Sequence, residues 1–307
     1  MRALITGATG FIGRYLVDEL RRLGWEVVCV VRKKVQPLAP GITCVQGDLC
    51  DLDALDRMVP QVGSVDVLFH LGALMPSTSG ANKACEFLIA NGVATYRLLE
   101  IAETIGSNTF IYLSSISVLG QPKEQPVTED HPYLPHLPYG LSKLFGELSC
   151  EMIRRVDVRR VISLRITSPY GSGMNTKTVL PHFVNQALAS KPLEYFGSGD
   201  RTQNFVHVSD IVQACTLAVD CPNPGIYNVG GETISMRELA ELIVRLTPGS
   251  KSIVRASKTK DPQEDYRWEI DLTRSRELLG YKPRIPLEVG IAKLIKNMKG
   301  GSVCRSW

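Results

Sequence analysis

Residues 3–24 place a strand, a glycine-rich turn and a helix in direct succession, and that order narrows the possible folds more than any other feature of the chain. "ALIT" (3–6) is a short apolar run, and "GFIGRYLVDELRRLG" carries apolar residues at helical spacing. Between them sits "GATGFIG". Gly7 allows the tight turn, Gly10 lets a pyrophosphate approach the backbone, and Gly13 lets the helix pack close to the sheet. The helix N-terminus adds N–H donors and partial positive charge. Gly7, Thr9, Gly10, Phe11, Ile12 and Gly13 are therefore expected to hold the phosphates of a nucleotide.

The rhythm continues through the first half of the chain. "EVVCVVR" (26–32), "ITCVQGD" (42–48), "VDVLFHLGA" (65–73), "TFIYLSS" (109–115) and "RVISLRI" (160–166) read as strands. Helical patterns separate them at 51–59, at roughly 83–104 and from near Tyr139 onward. Strands apolar on both faces and alternating with helices imply a parallel sheet covered on both sides, a doubly wound α/β fold of the Rossmann type. After residue 167 the rhythm breaks into the turn-rich "TSPYGSGMNTKT". The expected division is a dinucleotide-binding domain over 1–167 plus about 203–230, with a smaller substrate lobe over 168–202 and 231–307.

At 307 residues and 44% hydrophobic content the chain can bury a large core. A formal charge of +4, with Lys and Arg scattered, gives no support for a nucleic-acid partner. The eight cysteines (29, 44, 50, 85, 150, 215, 221 and 304) show no C-x-x-C spacing and no accompanying His cluster. They are expected to be reduced core residues, and no metal site is expected. With no signal-peptide pattern and no apolar run of spanning length, the expectation is a soluble, cytoplasmic protein without a membrane partner.

The residue after the second strand of such a fold reads the adenosine ribose. An acidic residue there indicates NAD, and an arginine indicates NADP. Arg32 holds that position, with Lys33 and Lys34 beside it. NADP(H) is therefore the expected cofactor, with NAD(H) the alternative. Asp48, followed by Leu49, is placed to accept from the adenine amino group or to cap the next helix.

"HLPYGLSKLFGE" (136–147) places Tyr139 and Lys143 one helical turn apart on one face. An ammonium near a phenol lowers the phenol's pKa and readies it for proton transfer. Ser115 ends a sheet strand 24 residues earlier, at the edge where doubly wound folds bind ligands. Ser115, Tyr139 and Lys143 are the candidate catalytic set, and Lys143 and Tyr139 also face the expected cofactor.

With these residues in view, the chain resembles the short-chain dehydrogenase/reductase superfamily. More narrowly, it resembles the extended branch of nucleotide-sugar epimerases and dehydratases. "TGATGFIG", "SSISVLG", Tyr139 with Lys143, "NFVHVSDIVQA", "YNVGGETISMRELAELI" and "LLGYKPRIPLEVGI" carry the likeness over nearly the whole chain. "HLGA" resembles the family's cofactor-lining segment, which implies cofactor contacts from Leu71, Gly72 and Ala73. "NGVATYRLLE" resembles its N-x-x-G-T helix, with Asn91 and Thr95 in register and Ala94 in place of the glycine. Asn91 is thereby assigned to the cofactor. The resemblance implies hydride transfer at C4 of a nucleoside-diphosphate sugar, by a 4-epimerase or a 4-ketoreductase. It also implies a homodimer built on the Tyr139 helix and the helix before "TFIYLSS".

The chain departs from the family at its substrate positions. Dehydratases carry Asp-Glu after the catalytic Ser/Thr, whereas here Ile116 and Ser117 follow Ser115, so a 4,6-dehydratase is not expected. Ser168 stands at the family's substrate asparagine. Gln203 stands at its diphosphate arginine, with Arg201 two residues earlier as the substitute. Ser117, Ser168, Phe196, Arg201 and Gln203 are the expected substrate contacts, with Phe196 stacking on the base. Two other classes stay open at this point, an NADPH-dependent reductase of a non-sugar ketone and a non-enzymatic nucleotide sensor.

Overall fold

A computed structural model describes residues 1–33, 41–76, 84–156 and 159–300. Lys34, Lys83 and Cys304, named above, lie outside the described residues.

The first half alternates as its apolar pattern demands. In order come β1 (Arg2–Thr6), α1 (Phe11–Arg22), β2 (Glu26–Val31), β3 (Ile42–Gln46), α2 (Leu52–Val62) and β4 (Val67–His70). Then follow α3 (Ala84–Phe87), a π-helix (Leu88–Val93), α4 (Ala94–Thr104), β5 (Thr109–Ser115), α5 (Pro138–Val156) and β6 (Arg160–Ile166). The stretch expected as one helix from about 83 thus carries a π segment, a form that concentrates at functional sites. The rest is β7 (Ser168–Tyr170), α6 (Val179–Leu188), β8 (Leu193–Tyr195), β9 (Thr202–His207), α7 (Val208–Val219) and β10 (Ile226–Val229). It ends with β11 (Glu232–Ser235), α8 (Met236–Leu246), β12 (Val254–Ala256), α9 (Thr273–Leu278) and α10 (Leu287–Lys299).

Seven parallel strands form the main sheet in the order β10-β6-β5-β4-β1-β2-β3. Alternate residues of each strand bury on opposite faces. Ala3, Ile5, Val27 and Cys29 join one apolar cluster, whereas Leu4, Val28 and Val30 join the other. The strand order reverses between β1 and β4, and that switch point opens a crevice at the strands' carboxyl ends.

A third cluster, including Leu180, Phe183, Leu239, Leu242 and Ile291, forms the core of the smaller lobe. β9 pairs there with β7 and β11, so residues 202–207 sit in the lobe's three-stranded sheet and not in the main sheet. The chain returns to the main sheet only at β10. β9 is buried from Asn204 to His207 like a main-sheet strand, and only its partners reveal where it belongs.

Candidate active site

The glycine turn is built as its spacing implies. Gly7 has φ +72°, and a Cβ on it would lie 2.6 Å from Gly72 N. The ends of β1 and β4 therefore touch. A Cβ on Gly13 would lie 2.0 Å from Gly7 O, so α1 starts in contact with the turn. Leu49 reaches the same point, since a Cβ on Gly72 would lie 2.8 Å from its Cδ1. Gly10 caps α1 with no side-chain hydrogen bond, which leaves the first-turn N–H groups to a ligand. Thr9 is exposed, and Phe11, Ile12, Leu71 and Ala73 are half-buried around this cradle. A cradle that admits no side chain, at an uncapped helix end, fits a dinucleotide pyrophosphate.

Asp48 does not cap α2. Asp51 does, its carboxylate accepting from Ala54 N at 3.0 Å. Asp48 Oδ1 instead accepts from Cys50 N at 2.9 Å and shapes the turn. Arg32 and Lys33 are exposed just beyond β2.

Below the cradle runs a one-way chain of hydrogen bonds. Gly72 N donates to Thr6 Oγ1 at 3.1 Å, and Thr6 Oγ1 meets His70 Nδ1 at 2.6 Å. His70 Nε2 meets Thr95 Oγ1 at 2.9 Å, and Thr95 donates to Asn91 O at 2.6 Å. A backbone N–H at one end and a carbonyl at the other fix the direction, so His70 is the neutral Nε2–H tautomer. Burial supports this by holding its pKa well below the usual histidine value.

Asn91 is fully buried and spends its side chain inside the protein. Its Oδ1 accepts from Leu74 N at 2.6 Å, and its Nδ2 donates to Leu74 O at 3.0 Å and to Ser142 Oγ at 3.1 Å. Ser142 in turn donates to Tyr139 O at 2.7 Å. This amide ties the segment after β4 to the first turn of α5.

The three candidate catalytic residues come together at the end of β5. Ser115 Oγ accepts from Ser117 N at 3.3 Å and from Ser117 Oγ at 3.0 Å. The Tyr139 phenol lies close enough for the Ser115 hydroxyl to influence its titration. Burial pushes the Tyr139 pKa up to about 12, and the neighbouring Ser115 hydroxyl offsets only part of that rise. Burial pulls Lys143 down to about 7, opposed by Cys150 and Glu147. Lys143 does not act on the phenol in this arrangement. Its Nζ lies over the Tyr112 ring, 4.2 Å from the centroid, and this corrects the expected Lys–Tyr coupling.

Tyr139 gains its orientation from residues that the periodicity did not single out. Phe87 meets its ring edge-on at 6.3 Å. Arg165 on β6 and Glu147 on α5, both fully buried, pair at 3.1 Å. Arg165 also donates to Glu129 O at 3.1 Å and to Tyr133 Oη at 3.2 Å. This network pins the loop before Tyr139 to the sheet. An Arg set among the apolar residues in the second half of β6 was the available signal.

A cavity of ≈ 200 Å³ opens beside Ser115 and Tyr139, lined by their neighbours Ile116, Ser117, His136 and Leu137. From the lobe it gathers Ser168, Arg201, Gln203, Tyr266 and Trp268. Gln203 Nε2 donates to Ser168 Oγ at 2.6 Å, so these two form one neutral unit. Arg201 Nε donates to the buried Asp261 at 2.6 Å. The expected cation is thus half-neutralised, while its terminal nitrogens make no other side-chain bond among the described residues. Phe196 is 48% exposed and does not line this cavity. Tyr266 and Trp268 supply its aromatic wall instead. "YRW", two aromatics at strand spacing in a polar segment, was the signal for them.

Residues 3–230 match the NAD dependent epimerase/dehydratase family. The chain belongs to that family. It is therefore an enzyme of the extended short-chain dehydrogenase/reductase type. The UDP-glucose 4-epimerase of Mycolicibacterium smegmatis is 30% identical, covering 98% of this chain and 100% of that protein. The dTDP-glucose 4,6-dehydratase of Streptomyces niveus is 28% identical, over 96% of this chain and 92% of that one. The structure of MoeE5 in complex with UDP-glucose and NAD superposes with a TM-score of 0.83, at 29% identity and 98% and 99% coverage. The family is NAD-dependent, and the NADP(H) preference drawn from Arg32 finds no support in it or in the MoeE5 complex.

Proposed function

We propose that this family member is a 4-epimerase of a nucleoside-diphosphate sugar that uses NAD(H). The observation that carries the reading is the cavity that opens where β5 ends on Ser115 and the first turn of α5 carries Tyr139, and that is walled from the other side by Arg201, Tyr266 and Trp268. Ser115 holds the C4 oxygen. Tyr139 takes the hydroxyl proton and later returns it. Bound NAD supplies a hydride acceptor that gives the hydride back, so no net oxidant is consumed. Gly7, Gly10, Gly13 and the N–H groups of α1 hold its pyrophosphate. Arg201 offers its terminal nitrogens to the substrate diphosphate, and Tyr266 and Trp268 offer apolar faces.

Dehydration is not proposed. Its family members use a carboxylate pair after the catalytic Ser/Thr, and no Asp or Glu lines the cavity among the described residues. A ketoreductase is the second reading, favoured only by Arg32. Incubating the purified enzyme with UDP-, dTDP-, GDP- and CDP-sugars decides between them. Interconversion of C4 epimers with constant absorbance at 340 nm is expected. Stoichiometric loss of NADPH with a 4-keto sugar would replace the epimerase by the reductase, and loss with a non-sugar ketone alone would remove the sugar.

The second copy in a homodimer belongs to the same reading. Leu141, Phe145, Leu148 and Met152 form a stripe on α5 at spacings of four, three and four, each between 46% and 50% exposed. Ile89 and Val93 extend it from the π-helix, at 41% and 39%. An apolar stripe at this spacing fits a helix of a second subunit. Light scattering is expected to give a dimer for the native chain and a monomer for the double substitution Phe145→Glu, Leu148→Glu. A native monomer at micromolar concentration would remove the dimer.

A further inference from the structure

Lys143 is 2% exposed, and among the described residues its Nζ makes no hydrogen bond. A buried ammonium in that position is costly unless something stabilises its charge. That ammonium lies over a ring. Nζ sits 4.2 Å from the centroid of Tyr112, on the neighbouring strand β5, and the ring face carries the negative side of the aromatic quadrupole.

The ring is itself held from several sides. Tyr112 is fully buried, and its hydroxyl donates to Lys143 O at 3.3 Å. It stacks on His70 with centroids 5.5 Å apart and planes at 30°. It reaches α5 only because residue 146 is glycine: a Cβ there would lie 2.5 Å from Tyr112 Oη. A glycine inside a helix costs about 1 kcal/mol relative to alanine, and the proton-transfer chemistry does not call for one at this position. Admitting the tyrosine accounts for it.

We propose that Tyr112, admitted by Gly146, is a positioning residue whose ring face seats the Lys143 ammonium and stabilises its charge. The titratable groups around Lys143 are consistent with the ring having this role. His70 on β4 is neutral and does not repel the ammonium. On α5, Tyr139 stays protonated, and Glu147, which raises the lysine's pKa, is already paired with Arg165. Cys150, also on α5, is a thiol whose pKa burial drives far up. From β5, the Tyr112 ring face meets the ammonium. The seat rests on the catalytic reading of Lys143 only for its consequence, since the contact exists whatever the enzyme turns over.

The test reads the lysine directly. The full-length protein is labelled with [ε-13C]lysine, and the Lys143 resonance is assigned by its loss in Lys143→Met. In the native chain it is expected to titrate at about 7. Tyr112→Phe, which keeps the ring, leaves the midpoint within a few tenths of a unit. Tyr112→Leu, which removes the ring, lowers it by about one unit. Trifluorophenylalanine at position 112 keeps the shape and removes the negative face, so it lowers the midpoint even if the leucine variant fails to fold. An unmoved midpoint with the fluorinated ring, or an equal fall in Tyr112→Phe, overturns the proposal. Loss of the proposed epimerase activity would not touch this result, and an intact titration would not rescue the epimerase.

Discussion

Tyr139→Phe is expected to lower kcat by about 10²- to 10⁴-fold, the usual contribution of a positioned acid–base group. NADH binding and the fold should survive. The phenyl ring keeps its contact with Phe87, and Ser142 still bonds the backbone carbonyl of residue 139. What is lost is the phenolic oxygen beside Ser115. The pH dependence follows from the same environment. Because burial raises the phenol to about 12, the phenolate needed for oxidation is scarce near neutrality. Turnover limited by oxidation should therefore rise with pH across about 6 to 9. Full activity in Tyr139→Phe, measured by C4 epimer interconversion, would move the proton transfer to another group.

Lys143→Met should separate stability from activity. The ordinary lysine pKa is 10.5 and the folded value is about 7. Between these limits the unfolded chain binds the extra proton, so stability rises with pH through the window. Below about 7 the lysine is charged in both states, and the full cost of burying it is present. Methionine has similar bulk and no charge. The variant should thus be more stable at neutral and acidic pH by about 1–4 kcal/mol, with melting raised by a few degrees. It should also lose the stability-versus-pH slope of one proton over that window, while turnover collapses. Denaturant melts of native and variant chains at several pH values check this. A variant of unchanged stability with the native slope would show that Lys143 is solvated in the folded state.

The parts of the site that were legible in the sequence are those in which chemistry and local geometry coincide. Gly7 and Gly13 are glycine because a Cβ there would meet Gly72 and Gly7 O, and such sterics leave their mark residue by residue. Tyr139 and Lys143 share a helix face by spacing alone. Ser115 was placed by the rule that strand ends carry ligands, and the structure ends β5 on it.

The substrate positions were only half legible. Ser168 and Gln203 do line the cavity, but their pairing needs β7 and β9 side by side. Arg201 was found as a cation, whereas its neutralising partner Asp261 lies 60 residues away in sequence. Phe196 and Tyr266 are both aromatics in polar loops. Nothing local distinguishes the one left 48% exposed from the one turned into the cavity.

The sequence by itself determined the doubly wound sheet, the glycine turn between β1 and α1 and the placement of the candidate residues Ser115, Tyr139 and Lys143, because apolar period, glycine sterics and helical spacing are properties of neighbouring residues. Only the tertiary structure decided the electrostatics. Whether Lys143 faces the phenol or the Tyr112 ring, whether Asp48 or Asp51 caps α2, and how much charge Arg201 retains all depend on groups brought together across the fold. Coulomb and desolvation energies depend on distance and burial in space, and neither is encoded in the spacing of residues along the chain.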